Sequence, residues 1–99
     1  MSPRIPIDGR KLAEFCRRNH IRKLSLFGSV MRDDFRPESD VDVLVEFEPG
    51  QTPGLAYISM QEELSSILTR TVDLHTPASL SPYFRDRVLS EAEVQYSQA

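Results

Sequence analysis

The sequence predicts an α/β (α+β) fold, in which a small mixed sheet is packed with helices. Helical and strand patterns alternate along the chain in the order αβαβαβα, with turn residues between them. The length of 99 residues suffices for one hydrophobic core. We therefore expect a single domain over residues 1–99.

The first helix and the first strand follow from residue spacing. Residues 8–19 are predicted to be helical, with Asp8 as the N-cap. Their apolar residues recur three and four positions apart and so share one face: Leu12, Phe15 and Cys16. Residues 21–27 are predicted to form a strand, and Gly28 and Ser29 a turn that opens a short helix.

Residues 40–47 show the clearest strand pattern in the sequence. Successive side chains on a strand point to opposite faces, so every second residue shares a face. One face is entirely apolar and is expected to lie in the core: Val41, Val43, Val45 and Phe47. The other face then carries Asp40, Asp42, Leu44 and Glu46.

The second half of the chain predicts a helix, a strand and a closing helix. The helix spans residues 55–68, and its apolar residues have helical spacing: Ala56, Met60, Leu64, Ile67 and Leu68. Residues 70–76 are predicted to form the third strand. The closing helix is expected over residues 81–92, with Ser81 as N-cap and Pro82 at the first helical position.

Composition excludes several classes of protein. No apolar stretch approaches the roughly 20 residues of a membrane span, and the first ten residues lack the apolar segment of a signal peptide. A single cysteine excludes an internal disulfide and a zinc site built from several cysteines. These features favour a cytoplasmic protein.

The net charge of −3 is distributed unevenly. Residues 1–32 carry eight Lys or Arg against two acids, a balance of +6, and residues 33–99 carry four against thirteen, a balance of −9. A basic segment attracts phosphate, RNA or an acidic partner, but it is more often a solvated helix face. No basic motif with interleaved exposed aromatic residues accompanies this segment, and Phe15 is expected to lie in the core, so direct nucleic-acid binding is not expected.

Three aspartates are candidates for a metal site. Asp40 and Asp42 share one strand face, with Cα atoms roughly 7 Å apart. Asp73 points outward on the third strand, and it reaches the same place if that strand lies beside residues 40–47. Carboxylates gathered in this way repel one another, and Mg²⁺ removes the repulsion because it prefers carboxylate and phosphate oxygens.

The Gly28–Ser29 turn supplies a complementary feature. A Gly-Ser turn at the start of a helix exposes backbone N–H groups, and glycine lets a phosphate approach the backbone. The Ser29 hydroxyl is a further donor. Phosphate donors beside metal-binding carboxylates indicate chemistry on a metal-bound nucleotide.

The spacing of these motifs carries a family resemblance. Gly28 and Ser29 are followed by ten residues and then by Asp40-Val41-Asp42. This pattern resembles the nucleotidyltransferase superfamily related to DNA polymerase β, and LFGSVMRDDFRPESDVDVLVEF is similar to its minimal members, the MNT domains. The segment VDLHTPASLSPYFRDRVLSEA is similar to their closing part, so the resemblance runs from Leu12 onward.

The resemblance implies roles for the candidate residues. Asp40 and Asp42 are expected to bind two Mg²⁺ ions, and Asp73 matches the third carboxylate, a metal ligand and candidate base. The nucleotide triphosphate is expected to contact three residues of one segment: Gly28, Ser29 and Arg32. Many relatives have glycine where this chain has Asp33, which puts the backbone flexibility of that position in doubt.

The resemblance also implies a reaction and a partner. MNT domains of this length are typically antitoxins paired with a HEPN-domain ribonuclease toxin. This chain is therefore expected to transfer AMP from ATP to a tyrosine hydroxyl of such a toxin and to release pyrophosphate. Two Mg²⁺ ions would stabilise the entering and leaving oxygens.

Two other functions are compatible with the sequence. The chain would be a non-catalytic antitoxin if it neutralised its partner by occlusion, but retention of all three aspartates speaks against this. It would modify a small molecule if two chains built one acceptor site, since a separate acceptor domain is missing. His75 shares the face of Asp73 and is a candidate contact to nucleotide, but a surface side chain is expected.

Overall fold

The computed structural model describes residues 5–32, 35–36, 38–51 and 53–98. These segments contain three α-helices: α1 (Gly9–Arg18), α2 (Ala56–Leu68) and α3 (Arg85–Glu91). They contain four strands: β1 (Ile21–Phe27), β2 (Val41–Phe47), β3 (Val72–His75) and β4 (Glu93–Ser97). Two short 3-10 helices follow β1 and β3, at Gly28–Met31 and Pro77–Ser79.

The four strands form one mixed sheet in the order β3-β2-β1-β4. β1 pairs antiparallel with both β2 and β4, whereas β2 and β3 run parallel. The parallel pair is joined through α2, as a parallel connection requires a long crossover. The predicted small mixed sheet packed with helices is confirmed.

The N-terminus of α1 forms as the sequence predicts. The Asp8 carboxylate accepts hydrogen bonds from the backbone N–H groups of Arg10 and Lys11, at 3.1 and 3.2 Å. A cap of this kind contributes about 1 kcal/mol of stability. The predicted apolar face of the helix is fully buried against the sheet: Leu12, Phe15 and Cys16.

The two faces of the sheet bury two separate clusters. The larger cluster lies under α1 and α2 and includes the predicted core face of β2, of which Val41, Val43 and Val45 are fully buried. The smaller cluster lies on the opposite face and consists of Phe27, Leu44 and Leu80, with Val88 and Ala92 packed against it. Asp42 alternates with the core valines and therefore lies on the face of the smaller cluster.

The second helix agrees with its predicted bounds to within one residue. Three of its five predicted core residues are buried, namely Met60, Leu64 and Leu68, and Ile67 packs against them while half-buried. Ala56 is exposed, and Tyr57 in the same turn packs against the core instead, donating from its hydroxyl to the backbone carbonyl of Leu74 at 2.8 Å. Side chains of the same helix hold the outer edge of β3: Val72 N–H donates to Ser65 Oγ and Leu74 N–H to Gln61 Oε1, both at 3.0 Å.

The closing segment differs from the prediction. The helix begins at Arg85, because Ser81 starts a turn in which its hydroxyl accepts from Tyr83 N–H at 3.3 Å. Phe84, which helical spacing with Val88 would place on the buried face of that helix, is 47% exposed. The strand β4 is an addition, since the sequence pattern ends at the closing helix. Within the described part of the chain, no helix is both long and apolar enough to span a membrane.

Candidate active site

The site begins at the turn after β1. Phe27, the last residue of that strand, is opposite Asp42 in the antiparallel register, so Gly28 lies beside the Asp42 carboxylate. Gly28 has φ +78°, a conformation that other residues rarely adopt. A Cβ atom built on it would overlap Oδ2 of Asp42 and lie 3.3 Å from Cγ. The position therefore requires glycine for two independent reasons.

Asp42 and Asp73 are direct neighbours across the parallel pair of β2 and β3. His75 lies two residues after Asp73 and on the same face. One ligand atom from each of the three side chains lies within 4.8 Å of the others. This group is the candidate metal centre, and carboxylate and imidazole atoms are suitable ligands for a divalent ion.

The electrostatics of Asp42 favour a cation. Burial raises the pKa of the Asp42 carboxyl, the neighbouring His75 opposes that rise, and the charges of Asp73 and Asp40 add to it. A raised pKa means that the ionised carboxylate is destabilised where it lies. A divalent cation beside Asp42 would remove this destabilisation.

Asp40 occupies a different position from the other two aspartates. It directly precedes β2, is exposed, and is outside the group formed by Asp42, Asp73 and His75. Its charge nevertheless acts on Asp42. Its expected role as a metal ligand stays a prediction.

His75 is more constrained than the sequence suggested. Its side chain is 25% exposed, and Nε2 lies 3.4 Å from Oδ1 of Asp42 and 3.3 Å from Oδ2 of Asp73. The ring meets that of Phe27 edge-on, with centroids 5.3 Å apart. The expectation of a surface histidine is wrong, and the available signal was its position two residues after Asp73.

A cavity of about 390 Å³ adjoins Asp42. The Gly28 turn and Arg32 form one side, and α3 contributes residues that the sequence did not suggest as site residues: Phe84, Arg87, Val88 and Glu91. The volume lies within the usual range for small-ligand sites. Ser29 is half-buried in the turn and is not among the residues lining this cavity. Asp33 lies outside the described residues.

Comparison with known proteins identifies the family of this site. The model of the nucleotidyltransferase domain family matches residues 10–94. The chain is similar to the protein adenylyltransferase MntA of Thermococcus cleftensis, with 38% identity over 72 residues, which are 72% of this chain and 71% of the relative. The family match covers the Gly28–Ser29 turn and all three aspartates. The roles of the individual residues rest on the geometry above.

Solved structures share the fold. A protein proposed to be a minimal nucleotidyltransferase superposes with a TM-score of 0.70 at 34% identity, over 85% of each chain. A complex of an MNT antitoxin with a tri-AMPylated HEPN toxin from Shewanella oneidensis superposes with a TM-score of 0.65 at 23% identity, over 91% of this chain and 70% of that one. The second likeness shows the fold alone. The chain belongs to the nucleotidyltransferase domain family.

Proposed function

We propose that this chain is an antitoxin that transfers AMP from ATP to a tyrosine hydroxyl of a partner HEPN ribonuclease toxin. The observation that carries the proposal is the pairing of Asp42 with Asp73 beside the Gly28 turn. Neighbouring carboxylates bind divalent metal, and a glycine turn next to them admits the phosphates of a nucleotide. A catalytic role explains why a half-buried strand position holds a carboxylate whose ionised form is destabilised.

Mg²⁺ is the proposed cofactor, as two ions held by Asp40, Asp42 and Asp73. The close approach of the ligand atoms of Asp42 and Asp73 supports this assignment. Asp40 lies at the start of the same strand, where its exposed carboxylate can turn toward the site. When bound, the ions would stabilise negative charge on the entering and leaving oxygens.

The nucleotide is proposed to occupy the cavity beside Asp42, with its phosphates at the Gly28–Ser29 turn. Arg32 lines this cavity, and a guanidinium suits phosphate oxygens in charge and geometry. The cavity is large enough for part of a nucleotide and open to solvent for the rest. We assign Gly28 and Arg32 to nucleotide binding because they line the cavity. Ser29 is assigned to it as the second residue of the phosphate-binding turn.

The chemical step is an in-line displacement. The tyrosine oxygen forms a bond to the α-phosphorus of ATP while the bond to pyrophosphate breaks, and the hydroxyl proton passes to a base. Asp73 is the proposed base, because its side chain is 55% exposed and so faces the side from which a protein hydroxyl approaches. Asp42, at 29% exposed, is less accessible to an acceptor.

The proposed partner follows from proteins similar to this one. The relative from T. cleftensis is named a protein adenylyltransferase, and the S. oneidensis complex joins an MNT antitoxin to an AMPylated HEPN toxin. We extend both roles to this chain. We propose further that residues 1–99 act as one minimal nucleotidyltransferase domain and that the chain works in the cytoplasm, where ATP is available.

The proposal is tested by the intact mass of the partner. The chain is used to capture its HEPN partner from the native host, and the mass of the captured protein is compared with and without Mg-ATP. A mass increase of one or more AMP units is expected with the natural chain and with Asp86→Asn, a matched exposed aspartate outside the cavity. No increase is expected with Asp42→Asn.

Two outcomes would contradict the proposal. Capture of an unmodified partner by both the natural chain and Asp42→Asn would indicate neutralisation by occlusion. AMP transfer to a small molecule, with an unmodified partner, would indicate a different acceptor class. A modified residue other than tyrosine would overturn only the assignment of the acceptor.

A further inference from the structure

His75 directs one ring nitrogen at the two central carboxylates. It follows Asp73 by two residues on β3, and the edge-on contact with Phe27 limits the orientation of its ring. Nε2 is buried, and it lies 3.4 Å from Oδ1 of Asp42 and 3.3 Å from Oδ2 of Asp73. The imidazole is therefore part of the same site.

These distances fit three ligands on one face of a metal ion. Two atoms that bind an ion at right angles, each about 2.1 Å from it, lie about 3 Å apart. The distances from Nε2 to the two carboxylate oxygens are 3.3 and 3.4 Å, and all three ligand atoms lie within 4.8 Å of one another. The two distances from Nε2 already match this value to within a few tenths of an ångström, and the carboxylate oxygens of Asp42 and Asp73 would approach each other by up to about 2 Å to complete the coordination.

A simple ion pair explains the geometry less well. A protonated imidazole would donate its N–H to one carboxylate at about 2.7–2.9 Å. Nε2 of His75 instead lies almost equally far from Asp42 and Asp73, and it makes no hydrogen bond with any described residue. Equal separation suits a lone pair directed at an ion between the two carboxylates.

We propose that His75 is a third protein ligand of the metal held by Asp42 and Asp73, and that its nitrogen favours a first-row transition metal such as Mn²⁺ over Mg²⁺. The inference rests on the proposed function of the two aspartates as metal ligands. Mg²⁺ prefers oxygen ligands and retains its waters, whereas transition metals bind imidazole more strongly. A neutral ring with its proton on Nδ1 presents the Nε2 lone pair.

The test uses the whole chain loaded with Mn²⁺ alone. Electron spin-echo envelope modulation spectroscopy detects the ¹⁴N nucleus of an imidazole that coordinates Mn²⁺. The natural chain is expected to give this signal. His75→Gln should abolish it. His20→Gln is the matched control, since His20 is exposed, lies 4.0 Å from Glu48, and is outside the group formed by Asp42, Asp73 and His75. The control should retain the signal.

Affinity provides a second measurement. Titration calorimetry with metal alone is expected to show that His75→Gln binds Mn²⁺ about tenfold more weakly or worse. Binding of Mg²⁺ should fall much less, because oxygen ligands and water dominate its coordination. His20→Gln should bind both ions as the natural chain does.

Four results separate this inference from the proposed function. A Mn²⁺-loaded natural chain without the ¹⁴N signal, or a His75→Gln chain that binds Mn²⁺ as tightly as before or more tightly, would overturn the ligand role of His75. Mn²⁺ binding unaffected by Asp42→Asn would refute the metal site itself, and the inference with it. A ¹⁴N signal in a chain that transfers no AMP would support the inference while contradicting the proposed function.

Discussion

Asp42 on β2 and Asp73 on β3 are direct neighbours in a parallel register, although the whole of α2 separates them in sequence. Backbone hydrogen bonds from Val72 and Leu74 to side chains of α2 hold β3 on either side of Asp73. The core that packs α2 on the sheet therefore also sets the separation of the two carboxylates.

Asp42→Asn should not destabilise the metal-free protein. Burial is the main cause of the raised pKa of Asp42, so the ionised carboxylate is unfavourable in the folded state and a neutral amide is not. In EDTA we expect Asp42→Asn to melt at the same temperature as the natural chain or higher.

Metal binding should separate the two proteins. With Mg²⁺ at ten times its dissociation constant, the free energy of unfolding should rise by about 1.4 kcal/mol for the natural chain and should not change for Asp42→Asn. Thermal unfolding with and without Mg²⁺ checks both; a lower melting temperature of the variant in EDTA would contradict the argument.

The Cys16 thiol should make stability fall above pH 9. Burial raises its pKa from 9.0 to about 12. The unfolded chain therefore ionises first, so the contribution of the thiol to stability is complete below pH 9 and is lost as the pH rises toward 12. The slope from this group is at most about 1.4 kcal/mol per pH unit. Urea unfolding at pH 8–10.5 measures this effect. The free energy of unfolding should fall less steeply with pH for Cys16→Ala than for the natural chain. Equal pH slopes would show that the Cys16 thiol does not cause the loss of stability.

The elements with strong periodicity could be predicted from the sequence. β1 has its predicted bounds, and β2 starts one residue later than predicted. In β2 the core valines alternate as the sequence pattern indicates, whereas in β1 four consecutive residues are buried because both faces of the sheet are covered there. The start of α3 could not be predicted, because a Ser-Pro pair is equally suited to the start of a helix and to the start of a turn. β4 is an edge strand with a 45% exposed Val94, and its conformation depends on pairing with β1.

The sequence allowed us to predict the types of residue that form the candidate site, but not how they are arranged relative to one another. The outward faces of β2 and β3 followed from alternation, but the neighbourhood of Asp42 and Asp73 depends on a parallel register that no local pattern encodes. His75 shares the Asp73 face in any strand model. Its burial, however, depends on Phe27 from a third strand.

Arg32→Ala should weaken the use of ATP without weakening the fold. Arg32 is exposed and lines the cavity beside Asp42, so its removal takes away one charge-assisted contact to phosphate. Such contacts contribute about 1.5–3 kcal/mol, which corresponds to a rise in the KM for ATP of roughly tenfold or more. Arg10→Ala, an exposed arginine on α1, is the control and should leave KM unchanged. An unchanged KM in Arg32→Ala would exclude this residue from the nucleotide site.

Gly28→Ala should weaken metal binding for a reason that a second glycine can isolate. Both Gly28 and Gly50 have φ +78°, so alanine strains the backbone at each by about 1–2 kcal/mol. A Cβ at Gly28 also overlaps the Asp42 carboxylate, whereas one at Gly50 meets nothing within 4 Å. The two variants should therefore lose similar amounts of stability through the backbone, and Gly28→Ala alone should displace Asp42 and weaken metal binding.

Thermal melting and Mn²⁺ titration calorimetry on the two glycine variants separate these effects. We expect Gly50→Ala to bind Mn²⁺ as tightly as the natural chain does, although it is less stable. Gly28→Ala should bind Mn²⁺ at least tenfold more weakly, which is about the effect of losing one ligand. Equal binding by both variants would mean that Asp42 moves aside at no cost to the site. The glycine of the Gly-Ser turn would then serve the turn conformation alone, and its contact with the carboxylate would have no part in holding the metal.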